Sequence, residues 1–112
     1  VGRASRKKRE RREGGDCFDR AYHDLWELDV AIRPFARLCH GTVTGTGGAV
    51  VGKRFGHAWV EIAGGLVVDN SNGDSVTMLR ERYYALGQVT NVRRYDWQEA
   101  MLWALRSRHF GP

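Results

Sequence analysis

The chain lacks any run of eighteen apolar residues, so no segment of it reads as a helix that crosses a bilayer. Its basic N-terminus carries no apolar stretch of the kind a secretion signal needs, and the expected compartment is the cytoplasm. Cysteine is scarce: Cys17 and Cys39 are the only two in 112 residues. They form no C-x-x-C pair, which argues against a disulfide framework or a zinc knuckle. His23, His40, His57 and His109 share no ligand spacing with either, so neither a metal nor another cofactor is expected. The length leaves no room for a second domain. With 42% hydrophobic and 28% charged residues, the chain reads as one globular domain with one modest core.

Charge is unevenly placed. Residues 1–15 hold seven basic side chains, Arg3, Arg6, Lys7, Lys8, Arg9, Arg11 and Arg12, against Glu10 and Glu13, which accounts for the whole net charge of +5. Residues 16–112 are formally neutral, with eleven basic and eleven acidic side chains. Almost nothing in the first fifteen residues is apolar, so they read as a disordered basic tail or frayed helix, joined through Gly14-Gly15 to a domain spanning 16–112. Two readings of the tail stand side by side. One is weak, salt-sensitive, sequence-independent contact with nucleic acid or another polyanion; the other is plain solubility. The body lacks the interleaved basic and aromatic residues that grip single strands.

From Asp16 onward the pattern predicts helix, strands, helix, strand, helix. Asp16 reads as an N-cap, after which Cys17, Ala21, Leu25 and Leu28 recur at helical spacing and give a helix over about 17–29. Pro34 breaks any continuation, and residues 35–44 alternate as a strand. Residues 55–62 and 66–69 read as a hairpin turning at Gly64-Gly65. Asn70-Ser71-Asn72-Gly73-Asp74 is dense turn chemistry, followed by a short helix over 77–86 closed by Gly87 and a strand over 89–95. Asp96 and Glu99 form a capping box for a last helix striped by Trp97, Ala100, Met101, Ala104 and Leu105. The fold class is α+β, a small antiparallel sheet with helices mainly on one face.

Three residues converge on one chemistry. A thiol in a helix's first turn meets unpaired N–H groups and the positive end of the helix dipole, which favour the nucleophilic thiolate, and Cys17 is expected there. A small core residue is the simpler reading of such a cysteine taken alone, so a base must decide. His57 opens Gly56-His57-Ala58-Trp59-Val60-Glu61, where alternation sets His57, Trp59 and Glu61 on one face and Ala58, Val60 and Ile62 on the other. A ring in that place can present a nitrogen to a thiol from elsewhere in the fold. Asp69 ends Leu66-Val67-Val68, where a carboxylate is costly to bury unless paired. Hairpin register tests the pairing: a three-residue loop, Ala63-Gly64-Gly65, sets Ile62 across from Leu66 and puts Asp69 on the face of His57. A two-residue loop puts it on the opposite face.

In order and spacing these residues resemble the transglutaminase-like superfamily of papain-type cysteine enzymes. The resemblance rests on Asp16-Cys17 at a helix start, Ala36-Arg37-Leu38-Cys39-His40-Gly41 as a strand ending in glycine, His57-Ala58-Trp59-Val60-Glu61, and Val68-Asp69-Asn70-Ser71. It spans residues 16–73. It implies a papain-like core with Cys17 as nucleophile, His57 as general base and acid, Asp69 orienting the imidazole, and Trp59 and Asp16 lining the site. It implies amide chemistry on a protein or peptide substrate through a thioester, resolved by water or by an amine. Asn70 stands where the family commonly has proline. Of an oxyanion hole only the backbone N–H of Cys17 is legible. So short a chain offers few substrate-binding loops, and a homodimer or other partner is one way to complete a cleft.

Two other classes fit parts of the chain. In one, the basic tail carries the function and the body is a folded or dimerising platform. In the other, Leu38-Cys39-His40-Gly41-Thr42 looks like the His-Gly-Thr strand of ADP-ribosyl transferases, which bind NAD, with Tyr83 or Tyr84 and Glu99 as companions. Glu99 is already accounted for by the capping box. A cysteine enzyme needs Cys17, His57 and Asp69 within reach of one another and open to solvent; a platform needs neither.

Overall fold

The computed structural model describes residues 13–70 and 75–107. The seven cations expected in the tail lie outside the described residues, as do turn residues 71–74. The elements are α1 (Glu13–Glu27), β1 (Arg37–Thr44), β2 (Arg54–Ile62), β3 (Leu66–Asp69), β4 (Val76–Leu79), α2 (Arg80–Gly87), β5 (Thr90–Tyr95) and α3 (Trp97–Ser107). Short 3-10 turns occupy Arg33–Phe35 and Gly48–Val50. All five strands form one antiparallel sheet in the order β4-β3-β2-β1-β5, so the domain is α+β. Among the described residues no helix is long and apolar enough to cross a membrane.

The hairpin takes the three-residue loop. Ile62 pairs with Leu66, Glu61 with Val67 and Val60 with Val68, while Gly64 and Gly65 turn the chain at φ 87° and 72°, where a side chain would be strained. Asp69 therefore shares a face with Val67, Glu61, Trp59 and His57. Between β1 and β5 the register shifts at Gly41, opposite Asn91 in the left-handed region at φ 57°. A Cβ on Gly41 would stand 2.8 Å from Cη2 of Trp59 and 3.1 Å from the Thr90 carbonyl oxygen. Glycine there lets the indole and β5 close on β1.

Both faces of the sheet are covered, which corrects the expectation of helices mainly on one. On the first face Cys17, Ala21 and Leu25 of α1 pack with Ala36, Leu38, Ala58, Val60 and Ala100 of α3. On the second, Tyr83 and Tyr84 of α2 pack on Cys39, Val43, Trp59 and Val67. The reason lies in β2, whose residues from His57 to Glu61 are buried on both sides. Alternation hands each face something that must leave water.

Three local expectations also change. α1 runs unbroken through Gly14 and Gly15, so residues 13–15 belong to the helix and Asp16 is not its N-cap. Two helical glycines cost about 1 kcal/mol each against alanine, which burial of Cys17, Ala21 and Leu25 outweighs. Val76 and Thr77 begin an edge strand, not a helix, because β-branched residues suit the open side of β3, and α2 starts only at Arg80. Gln88, not Gly87, takes the left-handed C-cap at φ 48°, with its amide on the carbonyls of Tyr84 and Ala85. The capping box forms as expected: the Asp96 amide donates to Glu99 Oε1 at 3.1 Å and the Glu99 amide to Asp96 Oδ1 at 2.8 Å.

Candidate active site

Cys17, His57 and Asp69 come together. His57 Nε2 donates to Asp69 Oδ2 at 2.8 Å, and the Cys17 side chain lies near enough to the same imidazole to help raise its pKa. With Nε2 held by Asp69, the ring nitrogen that remains for the thiol is Nδ1. Alternation sets His57 and Asp69 on the face opposite α1, yet the thiol reaches the ring. The length of β3 explains how: continuing its register sets Asp69 across from Trp59, so His57 lies past the end of β3. There β2 has no β3 partner beside His57.

The three residues are only 5%, 8% and 9% exposed, so of the two conditions a cysteine enzyme sets they meet the first, mutual proximity, and not the second, openness to solvent. Burial alone disfavours an imidazolium, but hydrogen bonds and negative charge from Asp69 and Cys17 outweigh it and push the His57 pKa up to about 9. The ring is therefore cationic at neutral pH and faces sulfur on one side and carboxylate on the other.

Two further contacts were not legible as part of the site. The Tyr83 hydroxyl donates to Asp69 Oδ2 at 2.7 Å, the same oxygen that holds His57. Asp24, seven residues after Cys17 and on its face of α1, is buried, with Asn70 near enough to lower its pKa. Burial raises the Asp24 carboxyl above its ordinary range, with Asn70 opposing. Asn70 accepts from the Ser75 hydroxyl. Asn70 thus lies between the end of β3 and α1.

Trp59 is fully buried and stacks beside His57, with centroids 6.2 Å apart and planes at 27°. Its indole N–H donates to Glu61 Oε2 at 3.0 Å. Tyr84 donates to the same oxygen, while Arg94 Nε donates to Oε1 at 3.2 Å and Arg80 stands 3.8 Å away. Burial pushes the Glu61 carboxyl up, but bonds from Tyr84, Trp59 and Arg94 prevail and hold it below the usual range. Asp16 lies in α1 immediately before Cys17. The backbone N–H of Cys17, the oxyanion donor expected from sequence, belongs to the fifth residue of α1, and helical geometry directs it to the carbonyl of Glu13.

The residues of the NAD reading have local roles. His40 is buried on β1 against the Tyr95 ring at 5.1 Å, Gly41 is pressed by Trp59, and Glu99 caps α3. Among the described residues no group of three His, Cys, Asp or Glu side chains is placed to hold a metal ion. Compared with protein-family models, curated proteins and solved structures, the chain finds no match.

Proposed function

We propose that the domain is a transglutaminase-like enzyme of thiol-dependent amide chemistry, acting on a protein or peptide amide with Cys17 as nucleophile. The observation that supports the reading is one imidazole bonded to Asp69 Oδ2 at 2.8 Å with Cys17 close enough to help raise its pKa. The Cys17 thiolate attacks the amide carbonyl and the C–N bond breaks as the His57 imidazolium gives its proton to the leaving amine. A thioester remains. His57, now neutral, takes a proton from water or an incoming amine as that nucleophile attacks, and sulfur departs as thiolate. Asp69 keeps the ring oriented and stabilises its cationic form. With the Cys17 amide turned into the helix, acylation by activated donors outpaces cleavage of ordinary amides.

The test is acylation by p-nitrophenyl acetate, followed by peptide mapping. One hydroxylamine-labile acetyl group on Cys17 is expected, absent from Cys17→Ala and formed roughly a hundredfold more slowly in His57→Ala. Acetylation that favours Cys39, or ignores His57, sinks the reading.

A further inference from the structure

We infer that Tyr83 is a positioning residue of this site, its phenol fixing the Asp69 carboxylate in the orientation that His57 uses; the role rests on the triad reading above. Asp69 ends a four-residue strand, and a carboxylate at a strand end can rotate about its last bond unless something holds it. Two donors from different elements converge on its Oδ2: His57 Nε2 from β2 at 2.8 Å and the Tyr83 hydroxyl from α2 at 2.7 Å. Together they define where that oxygen lies.

The phenol is itself held in place. Its ring tilts over Trp59 at 5.4 Å and 48°, within the cluster formed by Cys39, Val43, Trp59 and Val67. Packing alone would be served by phenylalanine; a hydroxyl brought this deep needs an acceptor, and Asp69 supplies it. Burial first, and the charge of Asp69 next, push the Tyr83 hydroxyl well above its ordinary range. It stays a donor wherever the domain is folded. Its single proton is committed to Asp69, so Tyr83 does not serve as the missing oxyanion donor at rest.

Tyr83 exerts two opposite effects on His57, and their balance makes the role testable. Donation to Asp69 drains charge from the carboxylate, which weakens its hold on the imidazolium. Fixing the carboxylate strengthens that hold, and a positioning residue is one in which this second effect prevails. In Tyr83→Phe the His57 ring, followed by NMR, should titrate lower than in the parent chain, in the direction of Asp69→Asn. The Tyr83→Phe change should have no further effect in an Asp69→Asn background. Cys17 alkylation at neutral pH should slow roughly three- to tenfold.

An unchanged or raised His57 titration in Tyr83→Phe, or losses that simply add in the double variant, would overturn the assignment and leave the phenol as packing. Should Tyr83→Phe fail to fold, the unaltered chain carrying 3-fluorotyrosine decides: a Tyr83 fluorine signal that shifts with the His57 titration supports the role, and one that does not move overturns it. Followed also in Cys17→Ala, which removes the thiol's own contribution, the ring titration reads Asp69 and Tyr83 alone. If Cys17 proves indifferent to His57 the triad reading fails on that ground, while the coupling of Tyr83, Asp69 and His57 is still read directly.

Discussion

Cys17 and Cys39 are the same side chain at nearly the same depth, 5% and 0% exposed, on opposite faces of one sheet. Their neighbours differ in sign. Cys17 meets the His57 ring, which Asp69 keeps cationic. Cys39 lies by the Glu61 carboxylate, with its sulfur 3.8 Å from the Arg37 carbonyl oxygen. Burial first and the charge of Glu61 next push the Cys39 thiol far above its ordinary range. Depth does not separate the two thiols; the charge facing the sulfur does.

The hardest way to break the comparison is to remove what both sites share. Trp59 stacks on His57 and donates to Glu61, so Trp59→Ala should cost about 3–5 kcal/mol in urea unfolding. A loss under about 1 kcal/mol would mean the surroundings of the two cysteines do not lean on a common support.

pH separates the faces next, through two buried histidines shifted in opposite directions. The His57 pKa is raised to about 9, above its unfolded value. Its stabilisation is full below about pH 6.5 and is lost as pH rises through 9, on the order of 3 kcal/mol. The His40 pKa is lowered to about 4 by burial first and by Arg93 next. Its neutral form favours the fold above about pH 6.5, and that contribution, also on the order of 3 kcal/mol, is lost as pH falls toward 4. Unfolding midpoints across pH should form a dome whose alkaline limb flattens in His57→Ala and whose acid limb flattens in His40→Gln. Unchanged limbs would contradict the assigned surroundings.

Gly41→Ala sharpens the contrast by steric means, since its Cβ meets the Trp59 ring at 2.8 Å. A loss of about 1–3 kcal/mol is expected, and a neutral outcome would show that the indole is not pinned. The smallest effect belongs to Glu61→Gln. It should cost about 1–2 kcal/mol through weakened bonds from Arg94 and Tyr84, and raise alkylation of Cys39 while leaving Cys17 near its parent rate. Equal gains at both cysteines would dissolve the distinction.

What the sequence made legible follows where its signals were local. Alternation in β2 was enough to put His57, Trp59 and Glu61 on one face, and Asp96 with Glu99 announced the last helix; whether Asp69 joined that face hung on the hairpin's loop length, which the pairing of Ile62 with Leu66 decides. Signals that depended on distant partners were lost. The run from Val76 to Leu79 is a strand because β3 offers it an edge, which nothing within the segment records. Gly14-Gly15 reads as a break, but the apolar face that follows it carries the helix through. Tyr83, Asp24 and Glu61 join buried polar networks only after several elements are packed, since Asp69, Asn70 and Arg94, the partners that place them there, lie fourteen or more positions away. Their types alone said nothing of it.

The most direct measurement is the rate of alkylation by iodoacetamide at each cysteine, followed across pH by peptide mapping in the parent chain and in His57→Ala. The account predicts that Cys17 reacts at neutral pH, slows roughly a hundredfold when His57 is removed, and far outpaces Cys39 in the folded parent. A Cys17 that reacts no faster than Cys39, or at the same rate with and without His57, would contradict it.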